Sequence, residues 1–214
     1  MNDLYKKIEN LKKSFFKEDI FEISLTSNNS FIYNETISDN TGQTINVKYC
    51  INTFNEAVII YNIENKLELK EYKFNHLKYD NSSDVILVYK NNNGYKLDIL
   101  EIKSSITDKI LSNISNQLIF GYLRAMTVLS PLHLNINEVN LYIAFYKDSS
   151  ITRDTSKIKN HKLRMHDIPY WKQDTIYIMN TIDNNFFSKN KISIKKIIYN
   201  DYTQNNNSAF ININ

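Results

Sequence analysis

Asp84-Val85-Ile86-Leu87-Val88-Tyr89-Lys90-Asn91-Asn92-Asn93-Gly94-Tyr95-Lys96-Leu97-Asp98-Ile99-Leu100-Glu101-Ile102-Lys103 is the most regular stretch of the chain. It holds two apolar runs around an Asn-rich turn, and Asn-Gly is a strong short hairpin signal because both residues tolerate positive φ. The expectation is a strand over 84–90, a turn at 91–94 and a returning strand over 95–103. Side chains two apart on a strand share a face, so Glu101 and Lys103 point the same way. A two-residue Asn93-Gly94 turn sets Asp84 opposite Lys103. A four-residue loop over 91–94 sets Asp84 directly opposite Glu101. Either register gathers Asp84, Glu101 and Lys103 on one face with Ile86, Val88, Leu97 and Ile99. The other face carries Val85, Leu87, Tyr89, Leu100 and Ile102, with Asp98 pointing away from Glu101. Strands apolar on both faces are central and covered on both sides.

Two carboxylates and an ammonium at one end of such a sheet must pair, bind a metal or open into a cleft, because unpaired buried charge is costly. Asp84 and Glu101 offer only oxygen, which suits Mg²⁺ or Mn²⁺, hard cations that keep waters and take few protein ligands. The main-chain carbonyl of Ile102, between Glu101 and Lys103, is a third donor. A cation there lowers the pKa of a bound water and neutralises charge on a phosphorane-like transition state. The adjacent Lys103 orients or deprotonates the nucleophile, or stabilises the phosphate.

The rest of the chain reads around this hairpin. Residues 3–18 predict a helix with Leu4, Ile8, Leu11 and Phe15 on one stripe. Residues 20–50 predict hairpins, with turns at Ser27-Asn28-Asn29-Ser30 and Asp39-Asn40-Thr41-Gly42. A short helix is expected over 53–62 and a strand over 66–74. A long helix is expected over 106–129, stopped near Pro131, with Ser104 and Ser105 placed to cap it. A buried strand follows over 139–146, then strands over 174–179 and 191–199, and an Asn-rich tail from Gln204 that reads as loosely held.

Asp84 followed by Glu101-Ile102-Lys103 across a hairpin resembles the PD-(D/E)XK nuclease superfamily. The order helix, three strands, helix, strand over about 53–146 is similar to that family's common core. The resemblance implies an α/β, restriction-endonuclease-like fold, with a mixed central sheet flanked by helices and with additions at 1–52 and 147–214, in one domain. It also implies Asp84 and Glu101 as metal ligands and Lys103 as the catalytic lysine. Ser83 stands where the family often has proline. Glu56 is the first choice for the acidic residue that many members carry before the first core strand, and Glu64 the second. Gln117, with Gly121 and Arg124 on one helix face, is the further candidate on the following helix.

Composition bounds the alternatives. A chain of 214 residues, 42% hydrophobic and 23% charged, suits one soluble domain. A single cysteine, Cys50, allows no internal disulfide, and no hydrophobic leader is evident, so an intracellular, cytoplasmic setting is expected. No stretch has the apolar length of a membrane helix. With 32 Asn, 31 Ile and 23 Lys against 3 Arg, the composition resembles that of an AT-rich virus, phage or mobile element. The tyrosines and lysines therefore speak weakly for nucleic-acid binding. His76, His133, His161 and His166 show no zinc spacing, and three glycines build no phosphate loop. Residues 147–172 carry an excess of four positive charges where the whole chain has +3. Lys157, Lys159, Lys162, Arg164 and Lys172 there could track a phosphate backbone, with Tyr170 and Trp171 stacking on bases. The function expected is a Mg²⁺- or Mn²⁺-dependent nuclease, acting on DNA before RNA, with a homodimer as the form that would cut both strands. The alternatives are an RNA endonuclease of cap-snatching type and a non-catalytic nucleic-acid-binding or assembly module that keeps the nuclease fold.

Overall fold

A computed structural model describes residues 1–16, 20–38, 44–63, 83–148, 175–178, 192–199 and 208–213. Among these residues, helices α1 (Asn2–Phe15) and α2 (Asp108–Leu129) accompany ten strands. These are β1 (Glu22–Leu25), β2 (Ser30–Ser38), β3 (Thr44–Thr53), β4 (Ala57–Tyr61), β5 (Val85–Asn91), β6 (Gly94–Ile106), β7 (Ile136–Asp148), β8 (Thr175–Ile178), β9 (Ile192–Ile198) and β10 (Ser208–Ile213). A mixed seven-stranded sheet runs β1-β4-β5-β6-β7-β9-β8, and a three-stranded sheet runs β10-β3-β2. The fold is α/β.

The central hairpin forms as its pattern dictates. Val85, Ile86, Leu87 and Val88 are all fully buried, as a strand covered on both faces requires. Ile86, Val88 and Leu97 pack with Leu4, Ile8 and Leu11 of α1, and Ile99 packs with Ile114, Leu118 and Tyr122 of α2. Val85, Leu87 and Leu100 instead meet Tyr33, Tyr49 and Ile51 of the three-stranded sheet. Among the described residues, both helices therefore lie on one face, and a second sheet covers the face where flanking helices were expected. Strands β4, β5 and β6 form an antiparallel meander, and α2 carries the chain across to β7, which pairs parallel with β6.

The register of the hairpin is the one that sets Asp84 opposite Glu101, since Val85 pairs with Leu100. Its turn is two residues long, but it spans Asn92–Asn93 and closes on an Asn91–Gly94 pair. The Asn91 carboxamide oxygen accepts from the Asn93 N–H at 3.1 Å and shapes that turn. Gly94 follows it with φ +149°, and a Cβ there would lie 2.2 Å from the Asn135 carbonyl oxygen. Glycine is needed because the chain entering β7 packs onto it, with Tyr95 N–H donating to Asn135 at 2.8 Å.

Several expectations change. The segment 53–62 holds β4, not a helix: Val58-Ile59-Ile60 is a β-branched run, buried with Ala57 on both faces between β1 and β5. The tail is not loose at its end, because β10 pairs parallel with β3 and buries Ala209, Ile211 and Ile213. Helix α1 stops at Phe15, which is exposed, and the extended Phe16 takes the buried place against Phe21, with ring centroids 5.5 Å apart. Strand β6 runs on through Ser104 and Ser105, so Thr107 caps α2, accepting from the Ile110 N–H at 3.4 Å. The expected strand over 66–74, the turn at 39–42 and Glu64 lie outside the described residues.

Candidate functional site

Asp84 sits at the bend entering β5, one residue before the ladder with β6 begins. Gly121 of α2 explains the tight local packing. A Cβ on Gly121 would come 2.0 Å from Ser83 Oγ and 3.0 Å from Ile99 Cγ2, so the helix backbone presses directly on the chain just before Asp84. Buried Ser83 is small enough to accept that approach. Asp84 Oδ2 then accepts a hydrogen bond from the Ile102 N–H at 2.6 Å, which fixes the carboxylate against β6.

Glu101 and Lys103 share the helix-facing side of β6. The Glu101 carboxylate is 1% exposed, and its Oε1 is ion-paired with Lys103 Nζ. Oε2 is buried, and no group among the described residues donates a hydrogen bond to it. Burial, then the neighbouring Asp84, pushes Glu101 up to about 8, against the pull of Lys103. Burial likewise raises Asp84, opposed by Lys103 and the Ile102 N–H. Burial alone would lower Lys103, but Glu101, Asp84 and Glu35 more than reverse it and hold the amine protonated.

Glu35 is the member that sequence reasoning missed. It lies half-buried on β2, and burial followed by Asp84 pushes it up to about 7, while Lys103 and a hydrogen bond from Tyr49 act against that rise. The signal was present: Phe31, Tyr33 and Glu35 alternate on the buried side of β2. That pattern continues an apolar stripe into a carboxylate, as Val88, Ile86 and Asp84 do on the central hairpin.

The site thus sets three carboxylates against one ammonium, two of the acids on the large sheet and one on the small. The excess negative charge and the unsatisfied Glu101 oxygen are what a divalent cation would relieve. An N–H and C=O of one strand residue point to the same side. The Ile102 carbonyl therefore faces the same way as the N–H bound to Asp84, which suits a third oxygen ligand. Among the described residues, no three His, Cys, Asp or Glu side chains stand close enough together to share one metal ion, the three carboxylates here being linked by their charges. A cation here would rest on Asp84, Glu101, main-chain oxygen and water.

The other predicted residues are placed differently. Glu56 is exposed just before β4, whose first residue, Ala57, pairs with Tyr89. It stands at the opposite end of the meander from Asp84, roughly 20 Å away at 3.3 Å per residue, because the segment is a strand and not the helix that would have carried it inward. Gln117 is half-buried on α2, and the charges and hydrogen bonds acting on Asp84 and Glu101 come from other residues. Arg124 is 1% exposed in the core. Lys157, Lys159, Lys162, Arg164 and Lys172, with Tyr170 and Trp171, lie outside the described residues. No described helix is long and apolar enough to cross a membrane. No family model, curated protein or solved structure matches the chain.

Proposed function

We propose that this chain is a Mg²⁺- or Mn²⁺-dependent nuclease of the PD-(D/E)XK type, acting as an endonuclease on DNA. The observation that carries the reading is the meeting of Asp84, Glu101 and Lys103 at one end of β5 and β6, with a buried carboxylate oxygen that no described residue satisfies. The meander β4-β5-β6, followed by α2 and the parallel strand β7, supports the same reading in part: three strands, a helix and a strand follow one another as in the implied order, without the leading helix expected over 53–62.

Asp84, Glu101 and the Ile102 carbonyl would hold the cation. When bound, it supplies Lewis acidity to a water and to the scissile phosphate. Asp84 reaches that position already oriented by the Ile102 N–H. Lys103, held protonated by its acidic neighbours, acts as a fixed positive charge that orients the nucleophile and offsets charge developing on the phosphate oxygens. Glu35 adds negative potential from the opposite sheet and helps keep Lys103 charged.

The test is cleavage of circular and linear double-stranded DNA, single-stranded DNA and RNA, each with Mg²⁺, Mn²⁺ or EDTA. The expected result is metal-dependent cutting of circular DNA by the wild type and none by Asp84→Asn or Lys103→Ala. Cutting of RNA alone would move the substrate to RNA. A folded wild-type protein that cuts nothing in either metal would overturn the proposal and leave a binding module.

A further inference from the structure

Tyr199 follows the last residue of β9 and is 1% exposed. Its N–H donates to the Phe145 carbonyl of β7 at 3.1 Å. Its hydroxyl reaches past β7 and donates to the Lys103 carbonyl of β6 at 2.9 Å. Lys103 and Phe145 are partners in the β6–β7 register, and Phe145 is the partner of Ile198 in the next pair. One residue therefore ties three neighbouring strands together at the level of the candidate site. The ring is also braced from the small sheet, because Tyr49 meets it edge-on, 5.8 Å between centroids at 78°. Tyr49 in turn donates to Glu35.

Lys103 needs such a tie. The ladder between β5 and β6 ends at Val85–Leu100, so Lys103 lies three residues beyond it. On that side the strand is held by the Asp84–Ile102 hydrogen bond, and the ammonium must stay on Glu101. A carbonyl has two acceptor lone pairs, so the tyrosine hydroxyl can bond the Lys103 carbonyl without displacing its ladder partner. We propose that Tyr199 is a positioning residue, fixing the main chain at Lys103 and through it the direction of the ammonium. The inference rests on the nuclease reading, in which Lys103 faces the scissile phosphate.

The experiment compares wild type, Tyr199→Phe, Lys103→Arg and the double variant in Mn²⁺-dependent cleavage, with melting temperature measured beside kcat and KM. Tyr199→Phe keeps the ring and its contact with Tyr49. It should lower kcat by roughly 10- to 100-fold, the scale of a misplacement near 1 Å, while KM and melting temperature stay close to wild type. In the Lys103→Arg background the same change should add little, because the two act as one unit. An unchanged kcat in Tyr199→Phe, with wild-type cleavage intact, would overturn the inference and leave the nuclease reading standing. So would a loss that is fully additive with Lys103→Arg, or one that tracks a fall in melting temperature. A wild type that cuts no substrate would overturn both.

Discussion

Strand β6 carries two buried acids, each with a lysine two residues away, and they serve different ends. Asp98 and Lys96 lie on the face toward the three-stranded sheet, and Glu101 and Lys103 on the face toward the helices. Asp98 is fully buried, yet each of its oxygens has a partner: Oδ1 accepts a hydrogen bond from Asn140 at 3.0 Å and Oδ2 is ion-paired with Lys96 Nζ at 3.2 Å. Lys96 also lies 5.4 Å from the Tyr89 ring centroid and 3.9 Å from Glu138. Among the described residues Glu101 has the lysine as its one ion-pair partner, and Asp84 and Glu35 press further negative charge on it. Burial raises both carboxyls. The difference is in what surrounds them: one acid is completed by neutral and basic partners, the other is crowded by acids. A crowded buried carboxylate is a candidate site, and a completed one is part of the frame.

The comparison breaks most plainly on activity. Glu101→Gln should lower metal-dependent cleavage by roughly 10³-fold, the scale of losing an electrostatic partner of the transition state. Asp98→Asn should stay within about threefold of wild type, since Asp98 sits on the other face; that allowance is far below the 10²-fold effects of altered active-site geometry. Equal losses in the two variants, measured as kcat/KM on circular DNA, would erase the distinction.

Stability should rank the pair the other way. Asp98→Ala leaves Lys96 and Asn140 facing an empty polar pocket and should cost about 3 kcal/mol, or about 6–12 °C in melting temperature for a chain of this size. Glu101→Ala relieves repulsion with Asp84 and should melt higher than Asp98→Ala. Thermal denaturation in EDTA checks the order, and a lower melting temperature for Glu101→Ala would show that the crowded acid is the structural one.

A cation should sharpen the contrast a little less strongly. Mn²⁺ at 100 times its dissociation constant adds about 2.7 kcal/mol to any state that binds it selectively. Wild type and Asp98→Asn should both gain that increment, and Asp84→Asn should gain almost none. A Mn²⁺ shift that survives in Asp84→Asn would place the cation elsewhere.

Much of this was legible in the primary structure, and the omissions have physical causes. The two-faced apolar pattern of Asp84–Lys103 fixed the central hairpin, because strand alternation is local information. It also separated Asp98 from Glu101 by face. The helix expected over 53–62 failed because Ala57–Tyr61 is apolar without alternation, and periodicity cannot tell a doubly buried strand from a helix turn. Glu56 fell with it. The three-stranded sheet was hidden because β10 pairs with β3 across some 160 residues of sequence, as in the Asn52–Asn212 hydrogen bond at 2.9 Å. Glu35 enters the site only when that sheet closes, so the alternation of Phe31, Tyr33 and Glu35 indicated a buried side without indicating what it faced. Tyr199 was likewise invisible, since its hydroxyl finds Lys103 only through the parallel order β6-β7-β9.

The smallest expected effect is the pH dependence of folding in EDTA, and it follows from the crowding. Glu101 and Glu35 are held near 8 and 7, above the ordinary value of 4.5 that both have in the unfolded chain. Below about 4.5 both states bind these protons, and the stability tied to them is fully present. As pH rises toward 8 the unfolded chain gives up its protons first, so that stability drains away. Coupling to Asp84 and Lys103 spreads the transition, so the loss between pH 6 and pH 8 should be about 1–2 kcal/mol. Glu101→Gln should flatten most of this slope and Glu35→Gln a smaller part. Urea denaturation at a series of pH values measures it. A slope of equal size in Glu101→Gln would mean that the crowding of Asp84, Glu101 and Glu35 carries no free-energy cost, and the case for a cation at that end of the sheet would lose its electrostatic support.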